Sequence, residues 1–134
     1  MKFIFPYKRE KSAIFSTIRR PIVNVGFWSK KFGIFQEVEA IVDSGADYTL
    51  LPLAYVEFLG IDIRKDCRSF FTSGIGGSEK MFMAPKMRLK IGNIVLHAPI
   101  GFLRRDNIPP LLGRFGCLDK LFVLLSRYNT TIWK

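Results

Sequence analysis

Residues 40–47 read Ala40-Ile41-Val42-Asp43-Ser44-Gly45-Ala46-Asp47, and they are the most informative segment of this chain. An acidic residue directly follows a run of apolar, strand-forming residues. The hydroxyl of Ser44 can hydrogen-bond across a turn, and Gly45 lets another part of the backbone approach closely. The segment predicts a carboxylate held in a loop at the end of a buried strand. An ordinary turn with a capping Asp has the same three residues, so the rest of the chain must distinguish the two.

Two other segments favour the first interpretation. The segment Thr72-Ser73-Gly74-Ile75-Gly76-Gly77-Ser78 has three glycines in four positions and one apolar residue. This composition suits a hairpin tip that closes over a substrate, although a plain loop has it too. The segment Ile108-Pro109-Pro110-Leu111-Leu112-Gly113-Arg114 is an apolar strand that ends in glycine and arginine. Such a strand can cross another segment closely, and Arg114 can pair with a carboxylate.

Short β-branched and aromatic runs between glycines and prolines predict a mostly β domain. The clearest run alternates Met87, Leu89 and Ile91 with basic residues, which indicates a half-buried strand. The predicted strands are residues 22–28, 32–42, 68–72, 79–83, 86–91, 94–103 and 130–133. Short helices are predicted at residues 52–60, which begin with Pro and end with Gly, and at residues 117–122.

These three segments, in this order, resemble the retropepsin family, the single-lobe aspartic proteases of retroviral type. The resemblance spans roughly residues 20–130. Residues 41–47 resemble the active-site loop, residues 74–77 the flap tip, and residues 111–114 the segment that precedes the C-terminal helix. The family more often has Thr where Ser44 stands, and Tyr48 stands where viral members commonly have a second acidic residue.

The resemblance implies a role for each site residue. Asp43 is the catalytic residue, and Ser44, Gly45 and Ala46 form the active-site loop. Gly113 and Arg114 give structural support, with Arg114 pairing with Asp47. The residues expected to contact the substrate are Asp47, Leu50, Gly74, Ile75, Gly76, Gly77, Leu111 and Leu112. Neither a metal nor an organic cofactor is implied.

The chain has one Asp-Ser-Gly motif, whereas hydrolysis by this chemistry needs two carboxylates that share a proton. The other aspartates lack the same context, so a second copy of the chain must supply the second carboxylate. The resemblance therefore implies a single-lobe acid-protease β-barrel with one or two short helices, completed as a C2 homodimer. The whole chain, residues 1–134, is expected to be one such domain, with residues 1–20 as an N-terminal extension or an interface strand. The implied function is an aspartic endopeptidase acting on polypeptides.

Length and composition argue against secreted, membrane-spanning and zinc-binding proteins. The length of 134 residues fits one domain, and the N-terminal apolar run is too short for a signal peptide. No apolar run reaches the roughly 18 residues needed to span a bilayer. We therefore expect a cytoplasmic protein that has no membrane partner. Two cysteines and one histidine, His97, are too few for a tetrahedral zinc site, and His97 is interpreted as an inert, partly buried strand residue.

The net charge of +10 leaves other functions open. The basic residues are scattered along the chain, which a solvated surface explains as well as a binding site does. One alternative is a catalytically silent, dimeric peptide-binding module of the same fold. A second is a small basic β-barrel that binds nucleic acid, but the chain has no RNP-like aromatic motif. The sequence therefore favours an enzyme whose partner is a second copy of itself.

Overall fold

Strands dominate the computed structural model of the chain, which describes residues 1–74, 77–105 and 107–134. The strands are β1 (Phe3–Pro6), β2 (Lys8–Ser12), β3 (Ser16–Arg20), β4 (Ile22–Ser29), β5 (Ile34–Val42), β6 (Thr49–Pro52), β7 (Arg68–Gly74), β8 (Gly77–Ile91), β9 (Ile94–Leu103), β10 (Leu111–Leu112), β11 (Phe122–Ser126) and β12 (Asn129–Trp133). The α-helices are α1 (Tyr55–Leu59) and α2 (Ile63–Asp66). The mostly β fold predicted from the sequence is confirmed.

The main sheet has seven strands in the order β4-β5-β10-β6-β9-β8-β7. The two-residue strand β10 lies between β5 and β6, parallel to β5 and antiparallel to β6. Strand β4 also pairs with β8, which partly closes the sheet on itself. A segment far along the chain is thus placed directly beside the strands on either side of residues 43–48.

Period-two alternation decides which side chains form the core. Val38, Ala40 and Val42 share one face of β5, and all three are buried. Met87, Leu89 and Ile91 on β8 are buried as well. The stretches predicted separately as residues 79–83 and 86–91 belong to the one strand β8, whose register with β9 shifts between Ala84 and Met87. A bulge of this kind bends a strand without ending it.

Helix α1 lies within the predicted range of residues 52–60 and ends at Gly60. Gly60 has a φ of 70°, and a Cβ there would lie 2.7 Å from the amide nitrogen of Lys31. A glycine therefore both ends the helix and lets the preceding loop pass close by. Asp62 caps the N-terminus of helix α2, and its side chain accepts hydrogen bonds from the amides of Arg64 and Lys65.

The helix predicted for residues 117–122 is present only in part, and it is not an α-helix. One 3-10 turn spans Leu118–Lys120, and strand β11 begins at Phe122. The sequence Phe122-Val123-Leu124-Leu125 has high strand propensity, and it pairs along its whole length with β12. Pairing with β12 therefore outweighs helix formation here.

The two ends of the chain form separate small sheets. Strand β1 pairs with β12, which gives the three-stranded order β1-β12-β11, and β2 pairs with β3 as a hairpin. Residues 1–20 therefore have regular structure, and their role as an extension or an interface strand stays a prediction. In the described ranges, no helix is long and apolar enough to cross a membrane.

Candidate active site

Asp43 lies in the loop directly after β5, and the backbone of this loop is tightly held. The Asp43 amide donates to the carbonyl of Leu112 at 3.0 Å, and the Ala46 amide donates to the carbonyl of Asp43 at 3.1 Å. The Gly45 amide donates to Asp43 Oδ1 at 3.0 Å, which fixes the carboxylate as well. The Asp43 side chain is half-buried, whereas Ser44 and Gly45 are exposed. The loop thus presents an oriented carboxylate at the surface of one chain.

Gly113 is the position where the segment after β10 meets the loop. A Cβ at Gly113 would lie 2.2 Å from the carbonyl carbon and oxygen of Tyr48. The missing side chain lets the Gly113 amide donate to Thr49 Oγ1 at 3.0 Å. Only glycine permits this approach.

The next two residues continue the contact. The Arg114 amide donates to the carbonyl of Ala46 at 3.0 Å, and the Phe115 amide donates to the carbonyl of Asp47 at 2.8 Å. The Arg114 guanidinium also lies 2.8 Å from Asp47 Oδ1. Both side chains are substantially exposed, so this ion pair adds little stability and the backbone bonds hold the loop. The contact between Arg114 and Asp47 is present, whereas the role of Asp47 toward a substrate stays a prediction.

Sequence reasoning missed Thr49, which is fully buried. Its hydroxyl accepts a hydrogen bond from the Gly113 amide. Thr49 therefore ties β6 to the segment that follows β10. A hydroxyl residue inside the apolar run of residues 49–53 is the signal that could have identified it, because a buried hydroxyl needs a partner.

The predicted apolar site residues differ in exposure. Leu50 and Leu111 are half-buried and pair with each other across β6 and β10. Leu112 is fully buried in the core, so it does not line a surface that a substrate could reach, contrary to expectation. Because side chains alternate along a strand, only one of two consecutive leucines can face the site. Side chains of Leu50, Tyr48 and Met81 converge over Gly101, where a Cβ would lie within 3.1 Å of each.

The predicted hairpin is present and longer than expected. Strands β7 and β8 pair from Arg68 with Met83 as far as Gly74 with Gly77. Gly77 is exposed, with a φ of 117°, and a Cβ added there would have no atom within 4 Å. Ile75 and Gly76, which the sequence predicts at the tip, lie outside the described residues.

The candidate site is made of carboxylates, a hydroxyl and apolar groups. Among the residues that the structure describes, no three His, Cys, Asp or Glu side chains lie together as a metal site requires. Within the chain, the Asp43 carboxylate accepts a hydrogen bond from the Gly45 amide, and the Asp43 amide donates to the backbone of β10. The chemistry available is that of an oriented carboxylate at an open surface.

Comparison with known proteins agrees with this geometry. No curated protein matches the chain. The sequence profile of the family described as "gag-polyprotein putative aspartyl protease" matches residues 35–114, which is more than half of the chain. The matched range begins in β5 and ends at Arg114, so it contains the Asp43 loop, the β7–β8 hairpin and β10. The chain therefore belongs to the gag-polyprotein aspartyl protease family, of the retropepsin-like kind.

Proposed function

We propose that this protein is an aspartic endopeptidase whose active site forms between two identical chains. The observation that carries the proposal is the Asp43 loop: β10 and the amides of Arg114 and Phe115 hold its backbone, yet Ser44 and Gly45 remain exposed. A loop that is rigid inside the chain and open outward is suited to meet its own copy across a two-fold axis. Each chain has one Asp-Ser-Gly, so the copy provides the second carboxylate.

The dyad would work as a proton-sharing pair. Two close carboxylates cannot both ionise easily, so one holds a proton while the other is charged. The charged Asp43 takes a proton from a water molecule, and the oxygen of that water bonds to the scissile carbonyl carbon. The protonated Asp43 of the other copy donates to the carbonyl oxygen. Collapse of the tetrahedral intermediate breaks the carbon–nitrogen bond. One hydroxyl of the intermediate returns its proton to the charged carboxylate while the protonated carboxyl group donates its proton to the leaving nitrogen, so the dyad again holds one proton.

The substrate would bind as an extended strand. The β7–β8 hairpin serves as the flap above it, and the Asp43 loops form the floor. Half-buried Leu50 and Leu111 supply apolar contact, and Asp47, braced by Arg114, supplies polar contact to the peptide backbone. Ser44 hydroxyls link the two loops. No cofactor takes part in these steps.

The test is the isosteric variant Asp43→Asn. Its amide keeps the shape of the side chain but cannot take a proton from water. We expect peptide hydrolysis to fall by about 10²-fold or more, because general acid–base catalysis is lost. The measurement is cleavage of an unstructured protein such as casein, followed by mass spectrometry of the products.

Asp119→Asn is the matched control, because Asp119 is an exposed carboxylate in the 3-10 turn. It should retain full activity. Cleavage by the wild type that survives in Asp43→Asn would refute the proposal. An inactive wild type that binds peptides as a dimer would instead favour the silent peptide-binding module.

A further inference from the structure

A gap in the main sheet lies at the base of the β7–β8 hairpin. Strand β8 pairs with β7 as far as Met83, and with β4 from Leu89 onward. Ala84, Met87 and Arg88 therefore have β9 on one side and, among the described residues, no partner strand on the other. Pro85 and Lys86 lie in the irregular part, and Pro85 has no amide hydrogen, so an added strand would bond to the other residues of this edge. The register shift between Ala84 and Met87 falls in this same stretch. An unpaired strand edge is a place where another extended chain can add.

A cavity of about 520 Å³ opens against this edge. Its apolar part includes Ile61, Ala84 and Met87, and Trp28 at the end of β4 forms part of its wall. The cavity shares no residue with the Asp43 loop or with β10. Its size is that of an ordinary ligand site in proteins.

The charged side chains around the cavity are mostly basic. Lys30, Lys65, Lys86 and Arg88 line it, against one carboxylate, Asp66. Lys30 Nζ lies 3.4 Å from Asp66 Oδ1, so one carboxylate of the chain already pairs with a lysine there. His97, expected to be partly buried, is exposed and also lines the cavity. This charge pattern favours an anionic ligand.

The position of Arg88 helps to select the kind of anion. Its guanidinium lies 4.1 Å from the centre of the Trp28 ring and covers that face. A nucleic-acid base would need such a free face for stacking. An acidic peptide needs none, because its backbone can pair with an open strand edge while its carboxylates meet the basic side chains.

We propose that this cavity binds an extended, acidic polypeptide segment, which adds to the open edge of β8 at residues 84–88. Alternate side chains of such a segment point to opposite faces, so acidic residues can face the basic rim while apolar residues face Ile61 and Met87. The site is separate from the Asp43 loop, and its occupancy does not depend on peptide hydrolysis. It also lies where both strands of the β7–β8 hairpin are rooted, since Asp66 precedes β7 and Ala84 follows the paired part of β8.

The probe is a short, fluorescein-labelled peptide of alternating glutamate and valine. Binding is measured by fluorescence anisotropy at low ionic strength on the Asp43→Asn protein, which cannot cleave the probe. The test variant adds K65Q and K86Q, two exposed lysines at the cavity. The control adds K11Q and K120Q, two exposed lysines elsewhere, which change the net charge equally.

We expect K65Q and K86Q together to weaken binding of the probe about tenfold, and K11Q and K120Q together to weaken it by no more than about twofold. Direct charge-assisted contacts contribute more to binding than the overall charge of the protein does. Replacing glutamate by glutamine in the probe should abolish binding. Methylating alternate backbone nitrogens of the probe, on the edge that would pair with β8, should abolish binding as well. The methylated nitrogens could no longer donate hydrogen bonds to β8. Equal weakening in both lysine variants would overturn the proposal.

A second measurement locates the ligand. Trp28 lines the cavity and Trp133 lies in β12, so W133F leaves Trp28 as the reporter of intrinsic fluorescence. Unlabelled probe should change the Trp28 emission, and an unchanged emission at saturation would contradict this location. Oligothymidylate is the competing polyanion. Tighter binding of oligothymidylate, weakened by K65Q and K86Q, would reassign the cavity to nucleic acid and overturn the proposal.

Discussion

At the scale of single residues, Gly113 is the position in the site where the backbone leaves the least space for a side chain. A side chain there would overlap the backbone of Tyr48, at 2.2 Å, rather than a flexible side chain that could move. Gly113→Ala should therefore lower the free energy of unfolding by about 3 kcal/mol or more, since the β10 crossing must shift. Urea denaturation measures this change.

Gly33→Ala is the control for Gly113→Ala. Gly33 has a φ of 64° and nothing within 4 Å of a new Cβ. Gly33→Ala should lower the free energy of unfolding only by the left-handed backbone penalty of about 1–2 kcal/mol. Equal losses in the two variants would show that close approach is not the constraint at Gly113.

Cys117 gives a prediction that depends on pH. Burial raises the pKa of its thiol to about 12, and the hydrogen bond with Thr49 acts weakly in the opposite direction. The folded state thus favours the protonated thiol, and the unfolded chain ionises first, near its ordinary value of 9.0. Above about pH 9, this group makes the free energy of unfolding fall by up to about 1.4 kcal/mol per pH unit until its folded pKa is reached.

Urea denaturation of the wild type and of Cys117→Ala, at about pH 8 and about pH 10.5, tests this linkage. The stability of the wild type relative to Cys117→Ala should be smaller at the higher pH, because the variant lacks the ionising thiol. A difference that stays constant between the two pH values would contradict the assigned burial. Ellman's reagent should also leave Cys117 unmodified in the native protein and react with it in guanidinium.

At the scale of elements, local pattern predicted helix α1 and strands β4, β5, β7, β8, β9, β10 and β12. These predictions depended on neighbouring residues alone. The alternation of Met87, Leu89 and Ile91 indicated a strand, and Gly60 indicated the end of a helix. Strands β1, β2, β3, β6 and β11 were not predicted. For β11, the choice of strand comes with its pairing to β12 along residues 122–126. That choice depends on a strand that follows later in the chain, which a local pattern does not contain.

The insertion of β10 shows the same limit within the site. The segment Leu111-Leu112-Gly113-Arg114 was identified from the sequence, but which leucine faces outward depends on the register with β5. Thr49 was missed because its importance comes from Gly113, which is distant in sequence. Residue types could be predicted, whereas contacts that join distant segments could not.

The two leucines of β10 yield a paired prediction. Leu112 is fully buried, so Leu112→Ala should cost about 2–5 kcal/mol of unfolding free energy. Leu111 is half-buried beside Leu50, so Leu111→Ala should cost less than about 2 kcal/mol while lowering kcat/KM by about tenfold. Thermal unfolding and peptide cleavage measure the two effects. The opposite pattern would show that Leu112, not Leu111, faces the substrate.

At the scale of the whole molecule, charge opposes the proposed association. Each chain carries +10, so two chains carry twice that charge and repel each other at low salt. Activity should therefore rise with protein concentration and with moderate salt until the dimer is saturated. Assays of the dyad are best made under those conditions, where like charges are screened.

Subunit mixing tests the shared active site most directly. Wild-type and Asp43→Asn chains are combined at fixed total concentration and left to exchange partners, and the initial rate of peptide cleavage is measured against the wild-type fraction. If each site needs Asp43 from both copies, the rate follows the square of that fraction, and an equal mixture retains about one quarter of the activity. A rate directly proportional to the wild-type fraction, with about half retained in the equal mixture, would show that one chain suffices and would contradict the account.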